Sequence, residues 1–239
     1  MAVNSYGVLC AEFYDLDKPQ APELALTWYR KQLRAANGRV LEPMCGSGRF
    51  LVPLAGAGIT VDGVDPSEPM LNACRRKLDA AGLHAGLWPQ TLESLDLGNV
   101  YAAAFIPSSS FCLLDPAAAR QGLLRLRAHL APGAAVFIEF EIPHREDHIP
   151  GGNPRTVTDG SRQIRMASRA EYDARTQAET FHNHYELKIS GRVVQIEDEV
   201  LRLQCYAPAE MRLLLAGTGF TEVSVEQPEF GWVAIARAV

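Results

Sequence analysis

Glu42-Pro43-Met44-Cys45-Gly46-Ser47-Gly48-Arg49 is the stretch of this sequence that decides the fold. A short apolar run, Arg39-Val40-Leu41, precedes it, and apolar residues at helical spacing follow it (Phe50, Leu51 and Leu54). A glycine-rich turn between a strand and a helix lets the backbone approach a ligand closely, because glycine has no Cβ. The free N–H groups at the helix N-terminus add binding groups. The stretch therefore predicts a site for a nucleotide-like ligand.

The residues around the turn narrow the choice of ligand. A dinucleotide-binding loop has the pattern Gly-x-Gly-x-x-Gly, but Leu51 stands at its third glycine position. A phosphate-binding loop continues with Gly-Lys-Ser/Thr, whereas Arg49-Phe50 follows Gly48 here. Glu42 would repel a diphosphate but can accept hydrogen bonds from a cationic amino-acid group. A plain strand-to-helix turn without a ligand is the alternative interpretation.

A second carboxylate follows the next strand. Asp65 lies 19 residues after Gly46, close to the spacing at which Rossmann-like folds bind ribose hydroxyls. Asp62 is the rival carboxylate, but it falls in the middle of the predicted strand. Ser67 after Asp65 is suited to cap the following helix, with Glu68 in its first turn.

Together, the glycine loop and the Asp-x-Ser-x-x-Met-Leu string that begins at Asp65 resemble the class I S-adenosylmethionine (SAM)-dependent methyltransferases. The resemblance implies that SAM is bound and S-adenosyl-L-homocysteine (SAH) released, with Glu42 and the glycine loop at the methionine part and Asp65 at the ribose. Family members carry an acidic residue near the adenine, and here Thr91 stands in its place. The implied cofactor site consists of Tyr14, Glu42, Cys45, Gly46, Ser47, Gly48, Arg49, Asp65, Pro66, Met70, Gln90, Thr91, Leu92 and Pro107.

The methyl acceptor is expected beside the end of the fourth strand, where Pro107-Ser108-Ser109-Ser110-Phe111 follows an apolar run. The alternative is a serine-rich turn that caps a helix. The aromatic residues Tyr6 and Phe13-Tyr14 resemble a family segment that folds over the cofactor, although they are equally suited to plain packing. The predicted acceptor-binding residues are Tyr6, Ser108, Ser109, Phe111 and Tyr172.

Composition limits the class of protein. The chain has 239 residues, 47% of them hydrophobic, which predicts one domain with a sizeable core. A net charge of −5 argues against a broad nucleic-acid surface, and no apolar run is long enough to cross a membrane. The five cysteines form no Cys-x-x-Cys pair, and the N-terminus does not resemble a secretory signal. We therefore expect reduced thiols and a cytoplasmic location.

The order of elements predicts an α/β fold: a Rossmann-like, doubly wound, seven-stranded sheet with an antiparallel C-terminal hairpin. Five strands alternate with helices, near 39–43, 59–65, 84–88, 100–106 and 134–142. Predicted helices span about 22–36, 68–81 and 208–216, and the closing strands lie near 221–227 and 232–238. We expect a single methyltransferase domain over 1–239.

Residues 143–206 are predicted to be a small antiparallel meander inserted after the fifth strand. A flexible Pro/Gly-rich loop comes first, and strands follow near 162–171, 177–189 and 192–205. In the second of these, Asn183, Tyr185 and Leu187 alternate with polar residues of the other face. A similar insertion occurs in amino-sugar and glycine N-methyltransferases, which implies a substrate cap or a homodimer interface.

Four of the six histidines lie in this insertion. His144, His182 and His184 are candidates for a general base, because histidine titrates near neutrality. Carboxylates beside them allow a metal site as an alternative. Exposed polar side chains are the simpler explanation, and we predict no metal.

These features predict an enzyme that transfers a methyl group from SAM to nitrogen or oxygen of a small molecule by direct displacement. Two alternatives remain: a SAM-binding regulatory or scaffold protein that has lost catalysis, and a nicotinamide-dependent oxidoreductase. The missing third glycine and the terminal hairpin count against the latter.

Overall fold

A computed structural model gives the structure of the protein and describes residues 6–143 and 152–239. In these ranges the helices are α1 (Val8–Asp17), α2 (Glu23–Leu33), α3 (Leu51–Gly56), α4 (Glu68–Ala80), α5 (Pro116–Ala128) and α6 (Pro208–Ala216). The strands are β1 (Val40–Pro43), β2 (Val61–Val64), β3 (Leu87–Trp88), β4 (Tyr101–Ile106), β5 (Leu130–Phe140), β6 (Arg155–Asp159), β7 (Arg162–Asp173), β8 (Ala178–Ile189), β9 (Arg192–Gln204), β10 (Phe220–Glu226) and β11 (Trp232–Ala238). A short 3-10 turn, Ser110–Leu113, follows β4.

Seven of the described strands form one sheet in the order β10-β11-β5-β4-β1-β2-β3. Strands β1 to β5 pair in parallel, and β11 runs antiparallel to both β5 and β10. The predicted doubly wound sheet with its antiparallel hairpin is thereby confirmed. The strand order reverses between β1 and β4, and ligands of such sheets bind at the carboxyl ends of strands beside the reversal.

Helices cover both faces of this sheet. On one face α2, α3 and α4 bury apolar residues such as Tyr29, Leu54 and Leu71. On the other face α5 and α6 do the same with Leu123 and Leu215 among others. This burial explains why the strands between the layers are apolar on both faces.

Some element boundaries differ from the predicted ones. β5 begins at Leu130 rather than near 134, with Pro132-Gly133 inside it at a register shift against β4. An irregularity of this kind tolerates proline, which has no N–H to give to the ladder. α2 ends at Leu33, three residues before the predicted end, and β3 contains only two residues.

The inserted region forms a separate four-stranded antiparallel sheet in the order β6-β7-β8-β9. Strands β7 to β9 agree with the predicted meander, and Asn183, Tyr185 and Leu187 of β8 are buried on one face as expected. β6 was not predicted, because Val157 is the only apolar residue of Arg155–Asp159 and a single one shows no alternation. α1 covers the apolar end of the buried face, packing Leu9, Cys10 and Phe13 against Ile164, Met166, Tyr185 and Leu187.

Candidate functional site

The glycine loop after β1 has two glycines in the left-handed region, at φ +52° for Gly46 and +75° for Gly48. A Cβ on Gly48 would overlap Cys74 Sγ of α4, so close packing requires this glycine. Around Gly46 the nearest atom to such a Cβ would be Met70 Sδ, 4.0 Å away. The space beside Gly46 is therefore open to a ligand.

Asp65 is held rigidly against this loop. Its Oδ2 accepts the Gly46 N–H at 2.9 Å, and its Oδ1 accepts the Ser67 N–H at 2.9 Å. The side chain is only 8% exposed, and burial raises the pKa of Asp65 to about 6 although both N–H groups lower it. Each oxygen keeps a second lone pair, so the carboxylate can still accept hydrogen bonds from hydroxyl groups of a ligand.

Glu42 at the end of β1 has a buried oxygen without a partner. The residue is 2% exposed, and Glu42 Oε2 has no hydrogen bond within the described residues. Burial, and then the charge of Asp65, raise the pKa of Glu42 well above its usual value, while the Leu51 N–H lowers it. Native proteins rarely leave a buried polar atom unpaired, and a cationic ligand group would supply both the missing donor and a compensating charge.

Asp62 has a different environment from Asp65. It is fully buried and receives hydrogen bonds from Arg39 at 2.8 Å, from the Gly86 N–H at 2.9 Å and from the Tyr101 hydroxyl at 3.2 Å. These partners lie next to or on β1, β3 and β4, so Asp62 holds neighbouring strands together, and Asp65 alone of the two contacts the glycine loop.

Ser47 and Arg49 connect the loop to α1. Lys77 Nζ donates to Asp15 Oδ1 at 2.7 Å and to Ser47 Oγ at 3.1 Å. Arg49 Nη1 donates to the Tyr14 hydroxyl at 3.3 Å. These side chains, and Tyr14 with them, lie at the junction between the loop and α1, where they restrain the helix that borders the site.

Three further predicted residues surround the loop. Cys45 is buried beside Gly63, where a Cβ would approach its Sγ to 2.6 Å. Met70 is buried with its sulfur toward Gly46, and Pro66 is exposed next to Asp65. Cys45 therefore packs the underside of the loop, whereas Met70 and Pro66 border the open side.

In the segment predicted to contact the adenine, Gln90–Leu92, the side chains bond or pack within the protein. The Gln90 amide bonds the Asp96 backbone through both its oxygen, at 2.9 Å, and its nitrogen, at 3.2 Å. The Thr91 hydroxyl lies 2.8 Å from Ser94 Oγ, and Leu92 is buried in the core. These side chains therefore brace the segment, and their contact with the adenine stays a prediction.

The end of β4 has an unusual backbone. Pro107 is buried, and Ser108 and Ser109 follow it with φ of +56° and +54°. The Ser108 N–H donates to Glu139 Oε2 at 2.9 Å, and the Ser109 hydroxyl donates to Glu141 Oε1 at 2.8 Å. Two successive non-glycine residues in the left-handed region cost conformational energy, and such strain concentrates at functional sites.

Glu139 is a candidate that the sequence analysis missed. It lies near the end of β5 and is 9% exposed, and its Oε2 also accepts the Tyr29 hydroxyl at 3.4 Å. Burial raises the pKa of Glu139 to about 7, against the lowering effect of the Ser108 N–H. The available signal was a charged residue within the apolar run Phe137-Ile138-Glu139-Phe140.

The three aromatic residues predicted to bind the acceptor do not lie together: Tyr6 is beside Ser67, Tyr172 is on β7 and Phe111 is in the core. Tyr6 is half-buried, and its carbonyl accepts the Ser67 hydroxyl at 3.0 Å, next to Asp65. Tyr172 is half-buried on β7, in register with Glu179 of β8. Phe111 is fully buried with its ring 6.0 Å from that of Tyr206, so it packs in the core, and its contact with the acceptor stays a prediction.

The structure describes two of the three histidines that were predicted as candidates for a general base. His182 and His184 lie on the face of β8 opposite to the buried Asn183 and Tyr185. His182 is exposed, and His184 Nδ1 lies 2.6 Å from Asp198 Oδ1 on this outer face. Neither side chain points toward the glycine loop, because strand alternation turns both outward. His144 lies outside the described residues.

Among residues 6–143 and 152–239, no group of three His, Cys, Asp or Glu side chains is arranged to hold a metal. Within the same ranges no helix is both long enough and apolar enough to span a membrane.

A sheet of this order, with a glycine loop after β1 and a carboxylate after β2, has the fold of the class I methyltransferases. Residues 40–133 match the family described as a methyltransferase domain. The CcbJ methyltransferase from Streptomyces caelestis superposes with a TM-score of 0.76 at 26% identity, covering 98% of both chains. The sugar N-methyltransferase KedS8 from Streptoalloteichus sp gives a TM-score of 0.78 at 22% identity, over 99% of this chain and 98% of KedS8.

Curated relatives match a shorter stretch. The cypemycin N-terminal methyltransferase from Streptomyces sp is 30% identical over 156 residues, which are 64% of this chain and 62% of the relative. A dTDP-3-amino-3,6-dideoxy-alpha-D-glucopyranose N,N-dimethyltransferase from Streptomyces fradiae is 32% identical over 143 residues, 56% of this chain and 54% of the relative. The match thus spans little more than half of each of these two relatives.

Proposed function

We propose that this protein is a SAM-dependent methyltransferase that methylates the nitrogen of a small aminated molecule. The observation that carries the proposal is the pair of buried carboxylates at the glycine loop, one of which, Glu42, has an oxygen without a partner. The methyltransferase match over residues 40–133 and the names of the relatives support it.

The residues present fit SAM. The unpaired Glu42 oxygen suits the ammonium group of the methionine part of SAM, and the open space at Gly46 suits the carbon chain of that methionine part. Asp65 suits the two ribose hydroxyls. SAM supplies an electrophilic methyl group on a positively charged sulfur. CalS10, an amino pentose methyltransferase with a TM-score of 0.73 to this chain and 20% identity, was solved with SAM bound.

The protein's contribution is then mainly geometric. The acceptor nitrogen attacks the methyl carbon in line with the carbon–sulfur bond, and the protein orients it and excludes water. Ser108 follows β4 on the acceptor side, and α1 covers the junction with the meander. Tyr6, beside Ser67, and Tyr172 on β7 are further candidates for contact with the acceptor. The choice of nitrogen as the accepting atom follows the names of the relatives, which methylate an N-terminus or an amino sugar.

The acceptor class is tested by direct incubation with methyl-labelled SAM. A nucleotide-linked amino sugar, dTDP-3-amino-3,6-dideoxyglucose, is the first acceptor to try, with a peptide N-terminal amine as the second. The sugar with a 3-hydroxyl in place of the amine is the matched control. We expect label on an amine and none on the hydroxyl compound. Label on the hydroxyl compound would overturn the choice of nitrogen.

The scaffold alternative predicts SAM binding without transfer to any amine of a broad panel. The oxidoreductase alternative predicts binding of a nicotinamide nucleotide, which Glu42 would repel through its charge near the diphosphate.

Three further points belong to the proposal. The meander of 143–206 acts as a substrate cap within one methyltransferase domain of residues 1–239. The exposed apolar residues Val193, Val194 and Ile196 on β9, an edge strand of the described sheet, suit a homodimer interface. Five free, buried thiols suit a cytoplasmic location, and the net charge of −5 suits a small-molecule rather than a nucleic-acid partner.

A further inference from the structure

Glu139 lies at the acceptor side of the site, and one of its two carboxylate oxygens is anchored by the protein. Oε2 accepts the Ser108 N–H at 2.9 Å and the Tyr29 hydroxyl at 3.4 Å. No hydrogen bond joins Oε1 to a residue in the described ranges. A Cβ placed on Gly231 would come within 3.7 Å of Oε1, so the missing side chain at Gly231 keeps the space beside this oxygen open.

The strand order positions Glu139 across the site from the cofactor residues. Asp65 follows β2 and Glu42 lies on β1, whereas Ser108 follows β4 and Glu139 lies on β5. Because these strands run in the order β2-β1-β4-β5, the four residues line one edge of the sheet in sequence. The ribose and methionine parts of SAM would occupy the β2–β1 half, which leaves the β4–β5 half for the acceptor.

Charged and titratable groups surround Glu139 on several sides. Tyr29 of α2 lies beneath it, Glu141 lies on its own strand, and Arg49 belongs to the glycine loop. Burial and Glu141 raise the pKa of Glu139, whereas the Ser108 N–H, Tyr29 and Arg49 lower it. The resulting pKa of about 7 allows both protonation states near neutrality.

We propose that Glu139 is a catalytic residue whose free Oε1 takes the proton from the ammonium form of the acceptor. This inference rests on the proposed function, because it requires an amine acceptor. The same carboxylate attracts the ammonium ion before the proton moves, so it also selects cationic acceptors over neutral hydroxyl compounds.

Methyl transfer to a protonated amine takes place in two steps, deprotonation of the nitrogen and then transfer. An ammonium nitrogen has no free electron pair, so its N–H bond must break first. The proton passes to Oε1, the electron pair stays on nitrogen, and Glu139 becomes neutral. Nitrogen then bonds the methyl carbon while the carbon–sulfur bond breaks, and that electron pair stays on sulfur. The proton on Glu139 leaves to solvent and restores the carboxylate.

Sinefungin and SAH test this role without requiring turnover. Both ligands occupy the cofactor site, but sinefungin carries an amine at the reaction centre where SAH has only sulfur. Calorimetric titrations between pH 5.5 and 8 would compare the wild type, Glu139→Gln and Glu139→Asp. Glu222→Gln is the matched control, because this glutamate is 79% exposed on β10.

In the wild type we expect the preference for sinefungin over SAH to rise as the pH passes through about 7, because Glu139 becomes charged. Glu139→Gln should lower the preference for sinefungin about tenfold and abolish its pH dependence, because one charge-assisted contact is lost. Its SAH affinity should stay within about twofold of the wild type, because Gln keeps an oxygen for the Ser108 N–H. Glu139→Asp should keep the pH dependence with a weaker preference.

An unchanged sinefungin preference in Glu139→Gln, with normal SAH binding, would overturn the catalytic role and leave Glu139 as a support for the Ser108–Ser109 turn. Failure of the wild type to bind SAH would instead overturn the proposed function. The two failures are therefore distinguishable.

Discussion

Single residues set the chemistry of the site through buried carboxylates. Glu42, Asp65 and Glu139 are each at most 9% exposed, and burial raises the pKa of all three. Burying a carboxylate without a cation is unfavourable, so these residues cost stability in the ligand-free protein. A ligand that carries an ammonium group and hydroxyls removes part of that cost.

Asp65 gives a pH-dependent test of this cost. Its pKa is about 6 against an ordinary 3.8, so the charged form is less favourable in the folded protein. The free energy of unfolding should therefore fall as pH rises from 4 through 6, by up to about 3 kcal/mol from this group. Asp65→Asn should remove this contribution to the fall in the free energy of unfolding, whereas Asp79→Asn, at an exposed position, should not. Urea unfolding at pH 4 and pH 7 measures this fall. Equal falls in all three proteins would contradict the assigned pKa.

Gly48 gives a test of the loop's packing. Gly48→Ala adds a Cβ onto Cys74 Sγ at a φ of +75° and should lower the free energy of unfolding by about 2–4 kcal/mol. Gly58→Ala is the control, because its φ is similar at +83° but nothing lies within 4 Å of the new Cβ, so about 1–2 kcal/mol is expected. Cys74→Ala in the Gly48→Ala background should recover part of the loss. An equal loss of unfolding free energy in the two alanine variants would show that the overlap with Cys74 Sγ does not destabilise the protein.

At the scale of elements, α1 is held in place by residues distant in sequence. Glu197 of β9 accepts the N–H groups of Leu9 at 3.1 Å and Cys10 at 3.0 Å, which caps the first turn of the helix. Arg162 of β7 pairs with Glu12 through both carboxylate oxygens, at 2.7 and 2.8 Å. The meander therefore positions the helix that borders the cofactor loop.

Removal of this cap should loosen α1 selectively. Glu197→Ala should increase amide hydrogen exchange in residues 8–13 about fivefold, the effect of losing about 1 kcal/mol of capping. Exchange in α5 should not change, and Glu171→Ala, which removes a 60% exposed glutamate of β7, serves as the control. Unaltered exchange in α1 of the Glu197 variant would show that other contacts suffice.

At the scale of the whole molecule, local motifs could be predicted and long-range contacts could not. The loop, the capped α4 and the carboxylate of Asp65 follow from neighbouring residues, so the sequence sufficed for the sheet and for the cofactor half of the site. The roles of Glu139 and Glu197 depend on contacts between residues 31 and 188 positions apart in the sequence. For His182 and His184, alternation shows that the two residues share a face but does not show which face of the sheet α1 covers.

The exposed apolar residues of β9 give a prediction about assembly. Ile196 is 56% exposed, so Ile196→Glu should not disturb the fold but should prevent a dimer that uses this edge. Light scattering coupled to size-exclusion chromatography should give a dimer for the wild type and a monomer for the variant. Leu213→Glu, at a 74% exposed position on α6, is the control. A wild-type monomer at micromolar concentration would contradict the proposed interface.

The most direct test of the central proposal is a calorimetric titration of the wild type, Asp65→Ala and Asp79→Ala with SAM. We predict one binding site in the wild type and in Asp79→Ala. In Asp65→Ala the affinity should be about 10–100-fold weaker, because two hydroxyls lose a charged acceptor. An affinity for SAM that Asp65→Ala leaves unchanged would contradict the assignment of the site, and no binding to the wild type would contradict the proposed function itself.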